Sequence, residues 1–208
     1  MHSVHNTKVE RADPPASSGP LLRSDRAGFS LIEVLTLLVV LGIMTSIAVP
    51  HLDVERFQIE GAMQSVGSML LTAQRAAVQR QHDVVVSFDA TNSRIRIHAD
   101  TDNDRTIDLG EPVRWEPLGD GVRFGRAGAP ALMGEEAAIT FSVRQNGLPA
   151  VVFSRNGAAS EEGGIYLTST RALRDATYAR DTRALRIDRS TGRPGWYRLE
   201  GTRWTREF

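Results

Sequence analysis

The chain has 208 residues, enough for one domain with an appendage but not for two domains of ordinary size. Its 25 basic residues balance its 25 acidic residues, so the net charge does not indicate nucleic acid or an acidic substrate as a partner. Cysteine is absent, which excludes disulfide scaffolds, thiolate catalysis and cysteine-based zinc sites.

The sequence changes character sharply near residue 28. Residues 1–27 contain three prolines, four serines and no apolar period, and this composition predicts a flexible head. Residues 29–49 read FSLIEVLTLLVVLGIMTSIAV, and 15 of these 21 residues are apolar. As a helix this segment would be roughly 30 Å long, the thickness of a bilayer core.

Three interpretations of the apolar segment compete. A buried core helix of this length, apolar on every face, would be unusual in so small a domain. A secretory signal peptide fits the small residues Ser46 and Ala48, but its apolar region is normally about 7–15 residues long and free of acids. A membrane span fits the length, but Glu33 would then cost roughly 2.5–3.5 kcal/mol in lipid and would need a partner.

The residues around Glu33 suggest what that partner is. Residues 28–35, GFSLIEVL, resemble the processing site of type IV prepilins and of the pseudopilins of type II secretion. The resemblance implies that a prepilin peptidase cuts between Gly28 and Phe29 and methylates the new amine of Phe29. It also implies that the Glu33 carboxylate pairs with the amine of a neighbouring subunit and sets the register of assembly. The 28-residue leader is longer than is usual for the family, which favours a start codon further downstream.

Charge and spacing extend this picture to the rest of the helix. Arginines before the apolar segment predict a cytoplasmic N-terminus and a periplasmic C-terminal domain. Pro50 falls where pilin helices commonly bend, and proline disrupts helical hydrogen bonding. Beyond it, apolar residues at helical spacing predict an amphipathic helix to about Gln81 that packs on a domain. These residues are Val66, Met69, Leu70, Ala73, Ala76 and Ala77.

From residue 83 onward the apolar period becomes two, which predicts strands. Asp83–Asp89 and Arg94–His98 flank a turn at 90–93 and should form a hairpin. The other predicted strands are Val113–Trp115, Val122–Phe124, Ile139–Val143, Val151–Phe153, Ile165–Thr168, Leu185–Asp188 and Trp196–Leu199, with a weak helix at Arg171–Tyr178. The fold class is therefore α+β, a long N-terminal hydrophobic helix followed by a small antiparallel β domain.

This layout is similar to the GspH/FimT group of minor pseudopilins. The similarity rests on residues 73–78 (AQRAAV), the strand pair that follows, the acidic loop and residues 191–193 (TGR). It implies that the β domain is a sandwich of two sheets. The resulting division of the chain is a cleaved leader at 1–28, a membrane and assembly segment at 29–50, an amphipathic helix at 51–82 and a periplasmic domain at 83–208.

The acidic loop at 100–111 places acids at positions 1, 3, 5, 9 and 12, close to the ligand spacing of an EF-hand. Arg105 stands where that motif has its turn glycine, and a strand precedes the loop where a helix should stand. Two interpretations stay open, a calcium site and a solvated connecting loop. No cofactor or metal is expected on the remaining residues.

The C-terminal stretch 171–208 contains ten arginines and five acids, with Trp196, Tyr197 and Trp204 interleaved. Arginine binds phosphates and aromatic rings stack on bases, so Arg193, Arg198, Arg203 and Arg206 are candidates for nucleic-acid contact. Alternating arginines on a strand are also common on a solvent-facing surface, and this interpretation stays open.

An enzyme is not expected. The sequence has no GxSxG, HExxH or GxxxxGK[ST] motif, and its five histidines are scattered. We predict a minor pseudopilin of type II secretion, held in the inner membrane by one span and assembled with other pseudopilins through an inner-membrane platform. A FimT-type minor pilin of a type IV pilus, acting in pilus initiation or DNA uptake, is the alternative. A membrane-anchored periplasmic β domain with a ligand-binding task is a second alternative.

Overall fold

A computed structural model of the chain describes residues 29–48, 54–134 and 136–207. The chain divides into two compact units, Met1–Pro50 and His51–Phe208, and each is described by itself. The predicted bend at Pro50 and the predicted continuity of the helix there lie outside the described residues.

The first unit contains helix α1, Leu31–Ala48. Its first turn begins at the Ser30 carbonyl, which accepts from the backbone N–H groups of Glu33 and Val34. The hydroxyls of Thr36 and Thr45 donate to carbonyls four residues earlier, so both polar side chains are satisfied within the helix. Among the described residues, no helix is long and apolar enough to cross a membrane.

The second unit begins with helix α2, Val54–Arg80. The predicted apolar stripe is buried at Val66, Leu70, Ala73 and Ala77, and the buried face continues toward the N-terminus. Its earlier residues are Ile59, Ala62 and Met63. The helix ends where Gln81 takes a left-handed conformation with φ of 60°. The prediction of an amphipathic helix to about Gln81 is confirmed.

Within residues 54–134 and 136–207, ten strands follow α2 and form two antiparallel sheets of five strands each. Sheet 1 has the order β3-β2-β1-β6-β5, and sheet 2 has the order β10-β9-β8-β7-β4. The strands are β1 Asp83–Asp89, β2 Arg94–Asp100, β3 Val113–Pro117, β4 Val122–Phe124, β5 Arg144–Gln145, β6 Leu148–Phe153, β7 Gly163–Ser169, β8 Arg183–Ile187, β9 Pro194–Glu200 and β10 Arg203–Glu207.

The hydrophobic core lies where the inner faces of both sheets meet the buried face of α2. Phe88 stacks on Phe141 with ring centroids 5.4 Å apart and meets Phe124 edge-on at 6.1 Å. The outer face of sheet 1 is covered as well, because Val85, Ala150 and Val152 form a second buried cluster with Val143. β1 is therefore buried on both faces, as its unbroken apolar run suggests.

Two of the predicted elements were wrong in detail. Ile139–Val143 is not a strand, and within it only Ile139 forms a bridge, to Ile165. The reason is that the Glu161 carboxylate accepts from the backbone N–H groups of Ser142 and Val143, which leaves those donors unavailable to a ladder. In place of one weak helix at 171–178 there are two short ones, α3 at Thr170–Arg174 and a 3-10 helix at Ala176–Asp181.

Candidate functional site

Two of the predicted processing and assembly residues, Phe29 and Glu33, lie at the start of α1. Phe29 is 78% exposed and Glu33 lies in the first helical turn, with its side chain also exposed. Gly28 and Pro50 lie outside the described residues. The exposed carboxylate of Glu33 therefore lies about one helical turn after Phe29.

A buried arginine ties the β domain to the N-terminal half of α2. Arg183 on β8 is 1% exposed, and its Nε donates to Glu60 Oε2 at 2.9 Å. Its Nη1 donates to the carbonyls of Arg180 and Thr182 at 2.9 and 3.2 Å. The other oxygen of Glu60 accepts from Arg198 on β9 at 3.3 Å. The guanidinium is buried with Nε and Nη1 hydrogen-bonded and a carboxylate beside it, the arrangement in which a buried charge is tolerated.

A second arginine strengthens this attachment from α3. Arg171 Nε donates to the buried carboxylate of Asp181 at 2.9 Å and lies 3.6 Å from Glu55 Oε2 on α2. The same guanidinium packs over the Tyr178 ring at 4.5 Å. We call these contacts of Glu55 and Glu60 with Arg171, Arg183 and Arg198 the α2 clamp. No pattern in the sequence indicates this clamp, because Glu60 and its arginines are more than 120 residues apart.

The acidic loop is closed by its own hydrogen bonds. Carboxylate oxygens of Asp100, Asp102 and Asp104 lie within 4.8 Å of one another, as the calcium hypothesis requires. However, the two oxygens of buried Asp100 already accept from the N–H groups of Asp104 and Arg105, at 3.1 and 2.9 Å. Burial is the main cause of the raised pKa of Asp100. The fold thus brings together the first three acidic positions of the motif. The oxygens of Asp100 are, however, already used as acceptors by backbone N–H groups of the same turn.

Glu111, the twelfth position of that motif, points elsewhere. Its Oε1 accepts from the Thr101 N–H at 2.6 Å and from the Thr101 hydroxyl at 2.9 Å. Its Oε2 accepts from the Asp108 N–H at 3.1 Å and lies 2.6 Å from Nε2 of fully buried His98. Although desolvation acts in the opposite direction, these hydrogen bonds lower the pKa of Glu111 to about 2. In an EF-hand this carboxylate would bind calcium with both oxygens. Here the Glu111 carboxylate instead accepts hydrogen bonds from both ends of the loop.

The outer face of sheet 1 continues this polar network inward. Gln145 Nε2 lies 2.9 Å from Nδ1 of His98, and Gln145 Oε1 accepts from the Ser87 hydroxyl at 3.1 Å and from Arg96 at 3.2 Å. Because the Gln145 amide donates here, Nδ1 of His98 is an acceptor and Nε2 carries the proton given to Glu111. The histidine therefore packs as part of a satisfied network rather than as a free ligand.

The four candidate arginines do not form one surface. Strand alternation places Arg198 and Arg203 on the face of sheet 2 toward α2, and Arg198 is paired with Glu60 and Glu207. Arg206 points to the opposite face, and Arg193 lies in the turn before β9. Only Arg193 and Arg206 line a common depression, whose volume is about 430 Å³.

This feature, which we call the arginine depression, crosses the outer face of sheet 2. Cross-strand pairing aligns Arg186 with Gly195 and Arg206 with Tyr197. A Cβ atom at Gly195 would lie 3.7 Å from Nε and Nη2 of Arg206, so the missing side chain leaves room beside that guanidinium. Hydrogen bonds to Glu162 and to Tyr197 raise the pKa of Arg186, and Glu162 and Asp188 also line the depression.

Sequence reasoning missed Arg186, Tyr197 and Glu162 as members of this surface. The sequence groups Tyr197 only with the aromatic residues between the arginines, whereas the pairing of β8 with β9 makes it part of the lining. The strand β10 that supplies Arg206 was not predicted, because RWTRE has no apolar alternation. The glycine turn directly after β9, where Gly201 has a φ of 64°, is the signal that could have found it.

Comparison with known proteins gives one family. The family model described as "Type II transport protein GspH" matches residues 62–192, more than half of the chain. Among solved structures, the minor pseudopilin EpsH from the Type 2 Secretion System of Vibrio cholerae is 13% identical, with a TM-score of 0.41, over 72% of this chain and 96% of that chain. The type IV minor pilin FimU of Pseudomonas aeruginosa is 14% identical, with a TM-score of 0.43, over 73% and 95%. No curated protein matches significantly.

Proposed function

The chain belongs to the GspH family of type II transport proteins, and from that premise we propose that it serves as a minor pseudopilin near the tip of a periplasmic pseudopilus. The observation that carries this proposal is the order of two features along the chain. Residues 28–35 resemble a prepilin processing site directly before an apolar segment, and the GspH match follows from residue 62. A simple anchored ligand-binding domain would not need the first feature.

The proposed maturation has two steps. A prepilin peptidase hydrolyses the peptide bond between Gly28 and Phe29, which releases the leader and leaves a free amine on Phe29. The same enzyme transfers a methyl group to that amine from a sulfonium methyl donor, which leaves as the thioether, and the secondary amine that results still carries a positive charge when protonated. The apolar segment holds the subunit in the inner membrane, and the domain from residue 83 onward is periplasmic.

The proposed assembly depends on Glu33. Moving an apolar helix from lipid into the core of a filament gains little hydrophobic free energy, because both surroundings are apolar. Packing and charge pairing must therefore decide incorporation. The carboxylate of Glu33 and the ammonium on Phe29 of a neighbouring pseudopilin are complementary charges, and they attract strongly where the dielectric is low. The other pseudopilins and the inner-membrane platform are the partners in this step.

We expect Glu33→Ala and Glu33→Gln to be cleaved normally but not incorporated, because each removes the counter-charge and leaves residues 28–32 intact. The measurement is made on the full chain, co-expressed with a prepilin peptidase and the other pseudopilins. Mass spectrometry of the membrane-extracted protein should give a chain that begins at Phe29 with a methylated amine. Sheared filaments, probed with an antibody to the β domain, should lack the variants.

The matched control is Thr36→Ala. Thr36 lies about one turn after Glu33 on α1, and its hydroxyl donates to the Ile32 carbonyl within the same helix. This variant should be cleaved and incorporated as the unaltered chain is. A mature N-terminus other than Phe29 would contradict the processing step. Normal filament recovery of both Glu33 variants would contradict the assembly role and leave the processing step standing.

A second candidate function is that of a FimT-type minor pilin in pilus initiation or DNA uptake. The observation in its favour is the arginine depression, where Arg193 and Arg206 lie at one surface with the Tyr197 ring. A phosphate could occupy such a surface while a base stacks on the ring. The dependence of DNA binding on salt separates this function from secretion.

A further inference from the structure

A groove runs between the C-terminal half of α2 and two turns of the β domain. Residues 71–79 of α2 supply one wall, and the turns at 154–158, after β6, and 188–193, between β8 and β9, supply the other. The volume of this groove is about 780 Å³, within the range of sites that bind ligands. We call it the α2 groove. Neither the proposed processing nor the α2 clamp uses any of its residues.

One side chain of α2 fixes the shape of the groove. Gln74 Nε2 donates to the Gly157 carbonyl at 2.9 Å and also to the Thr191 carbonyl, so it ties both turns to the helix. The turns also touch each other, because Gly192 has a φ of 62° and a Cβ atom there would lie 2.3 Å from the Gly157 oxygen. The walls are therefore in place before anything binds, which lowers the entropic cost of binding.

The acid in the turn at 188–193 is occupied within that turn. Asp188 Oδ1 accepts from the Ser190 hydroxyl at 2.7 Å and from the N–H and the hydroxyl of Thr191, both at 2.8 Å. These hydrogen bonds lower the pKa of Asp188 to about 2. Asp188 therefore holds the turn in its ionised form, and it does not line the α2 groove.

The α2 groove is lined by cations without acids. Arg75 on α2 and Arg193 in the turn are exposed, and among the described residues neither guanidinium forms a hydrogen bond or an ion pair. Within the same part of the chain, no Asp or Glu side chain lines the groove. The arginine depression differs, because Glu162 and Asp188 line it beside the arginines. The net charge of the α2 groove, about +2, favours an anionic partner.

The rest of the lining suits a peptide. Leu71, Val78, Pro194 and Trp196 supply apolar surface, and Val78 is 42% exposed. Covering this surface stabilises a complex only if the partner brings apolar groups to it. The Gln79 carboxamide makes no hydrogen bond among the described residues, so its donors and its acceptor are available to a peptide backbone.

We propose that the α2 groove binds a short extended segment of another protein, in which carboxylates alternate with apolar side chains. The carboxylates pair with Arg75 and Arg193 through charge-assisted hydrogen bonds. The apolar side chains cover Val78 and Trp196, and the Gln79 carboxamide bonds to the backbone of the segment. The choice of a different protein over a second copy rests on the proposed function, since a subunit near the tip meets other pseudopilins rather than a row of copies of itself.

A nucleic acid fits the α2 groove less well than an acidic peptide does. A nucleic-acid strand carries a charge at every phosphate and draws its affinity from a row of cations, whereas Arg75 and Arg193 are the arginines of this lining. Single strands also stack their bases on aromatic rings. The ring available here, Trp196, is half-buried and packs on the hydrophobic core.

The test begins with short random peptides displayed on phage, which are selected on the full chain held in detergent. Counter-selection on a double variant, Arg75→Glu with Arg193→Glu, removes peptides that bind elsewhere. We expect the enriched peptides to contain Asp or Glu beside Leu, Ile, Val or aromatic residues. No enrichment on the unaltered chain over the double variant, or enriched peptides that lack acids, would overturn the proposal.

An enriched peptide is then synthesised, and its affinity for single variants of the full chain is measured. Arg75→Glu and Arg193→Glu should each weaken binding about tenfold, and lysine in place of the acids of the peptide should restore it. The matched control is Arg80→Glu, because Arg80 is an exposed arginine of the same helix that lines a different pocket. This variant should bind the peptide as the unaltered chain does. Equal loss in all three variants, or no loss in any, would contradict the assignment to the groove.

Two further measurements separate the other occupants. Displacement of the peptide by a single-stranded oligonucleotide at a lower concentration than by unlabelled peptide would overturn the proposal in favour of a nucleic acid. Self-association of the full chain that Arg193→Glu abolishes would overturn it in favour of a second copy. The mass of the mature N-terminus, measured on the same chain co-expressed with a prepilin peptidase, tests the proposed function separately. A wrong N-terminus with peptide binding intact would contradict that function and leave the groove assigned.

Discussion

Glu111 shows how one side chain can determine the state of a whole loop. Its two oxygens accept from Thr101 and Asp108 on the loop and meet His98 on β2, so it joins both ends of the loop to sheet 1. Spacing in the sequence correctly groups the acids of this loop. It does not predict that the last of them points inward, because the partner His98 lies on a strand whose outer face looks, in the sequence alone, exposed to solvent.

We expect Glu111→Gln to lower the melting temperature at neutral pH, because an amide places N–H groups against donors that need an acceptor. The pKa of Glu111 is lowered to about 2, so its contribution to stability is present above the ordinary carboxyl pKa and is lost as the pH falls toward about 2. The difference in melting temperature between the two proteins should therefore be large at neutral pH and shrink in acid.

Thermal unfolding across a pH series is the measurement, and Glu116→Gln is the control. Half-buried Glu116 pairs with exposed Arg114 on the edge strand β3, where such partly solvated pairs contribute little. Equal effects of the two substitutions at neutral pH would contradict the role assigned to Glu111.

At the scale of elements, packing of α2 on sheet 2 depends on a notch at Gly67. A Cβ atom there would lie 2.5 Å from Nε1 of Trp196, so the indole on β9 fills the space of the missing side chain. Trp196 is thereby a packing residue, although its place among the arginines suggested base stacking. The sequence predicts the helix and the strand from their apolar periods, but it cannot show which glycine of α2 faces which aromatic ring.

Gly67→Ala should lower the free energy of unfolding by about 1–3 kcal/mol, because the added methyl must displace the indole or the helix. The matched control is Gly61→Ala in the same helix, where a Cβ atom would meet nothing within 4 Å. That substitution should raise stability by about 0.5–1 kcal/mol through helix propensity alone. Denaturant unfolding of both variants measures the two changes in free energy. An increase in stability with Gly67→Ala would contradict the close packing of Trp196 against Gly67.

The same scale shows where prediction from sequence succeeds and where it stops. The apolar run of β1 and the turn residues after it predict the hairpin β1–β2, and most later strands follow from apolar alternation, because one buried face imposes a period of two. The strand predicted at 139–143 was wrong because Glu161, about twenty residues away, takes its backbone donors. β10 was missed because its register is fixed by pairing with β9 rather than by an apolar pattern of its own.

At the scale of the whole molecule, balanced charge hides a strong local segregation. Acids concentrate in the loop of sheet 1 and arginines in the strands of sheet 2. The C-terminal run of arginines looks continuous in the sequence, but strand alternation and the α2 clamp divide it between two faces. Which arginines remain available can be read only from the folded chain, since Glu60 reaches Arg198 across 138 residues.

This division predicts weak DNA binding by residues 51–208, which form a compact unit by themselves. With Arg193 and Arg206 as the free cations of one surface, the logarithm of affinity should fall against the logarithm of salt with a slope no steeper than about −2. Titration of duplex and single-stranded DNA across a salt series measures it. A much steeper slope, abolished when Arg193, Arg198, Arg203 and Arg206 become Ala, would assign the chain to DNA uptake instead.

The α2 clamp also has a mechanical consequence. Glu55 and Glu60 lie in the first two turns of α2, so a pull arriving along that helix from its N-terminal end reaches the β domain first through Arg171, Arg183 and Arg198. These contacts would be loaded together in shear, rather than broken one after another as in peeling. A subunit pulled from a membrane by its helix during assembly would thus keep its β domain folded. The resistance to unfolding would come from the three arginines Arg171, Arg183 and Arg198, near the end of the helix where the force is applied.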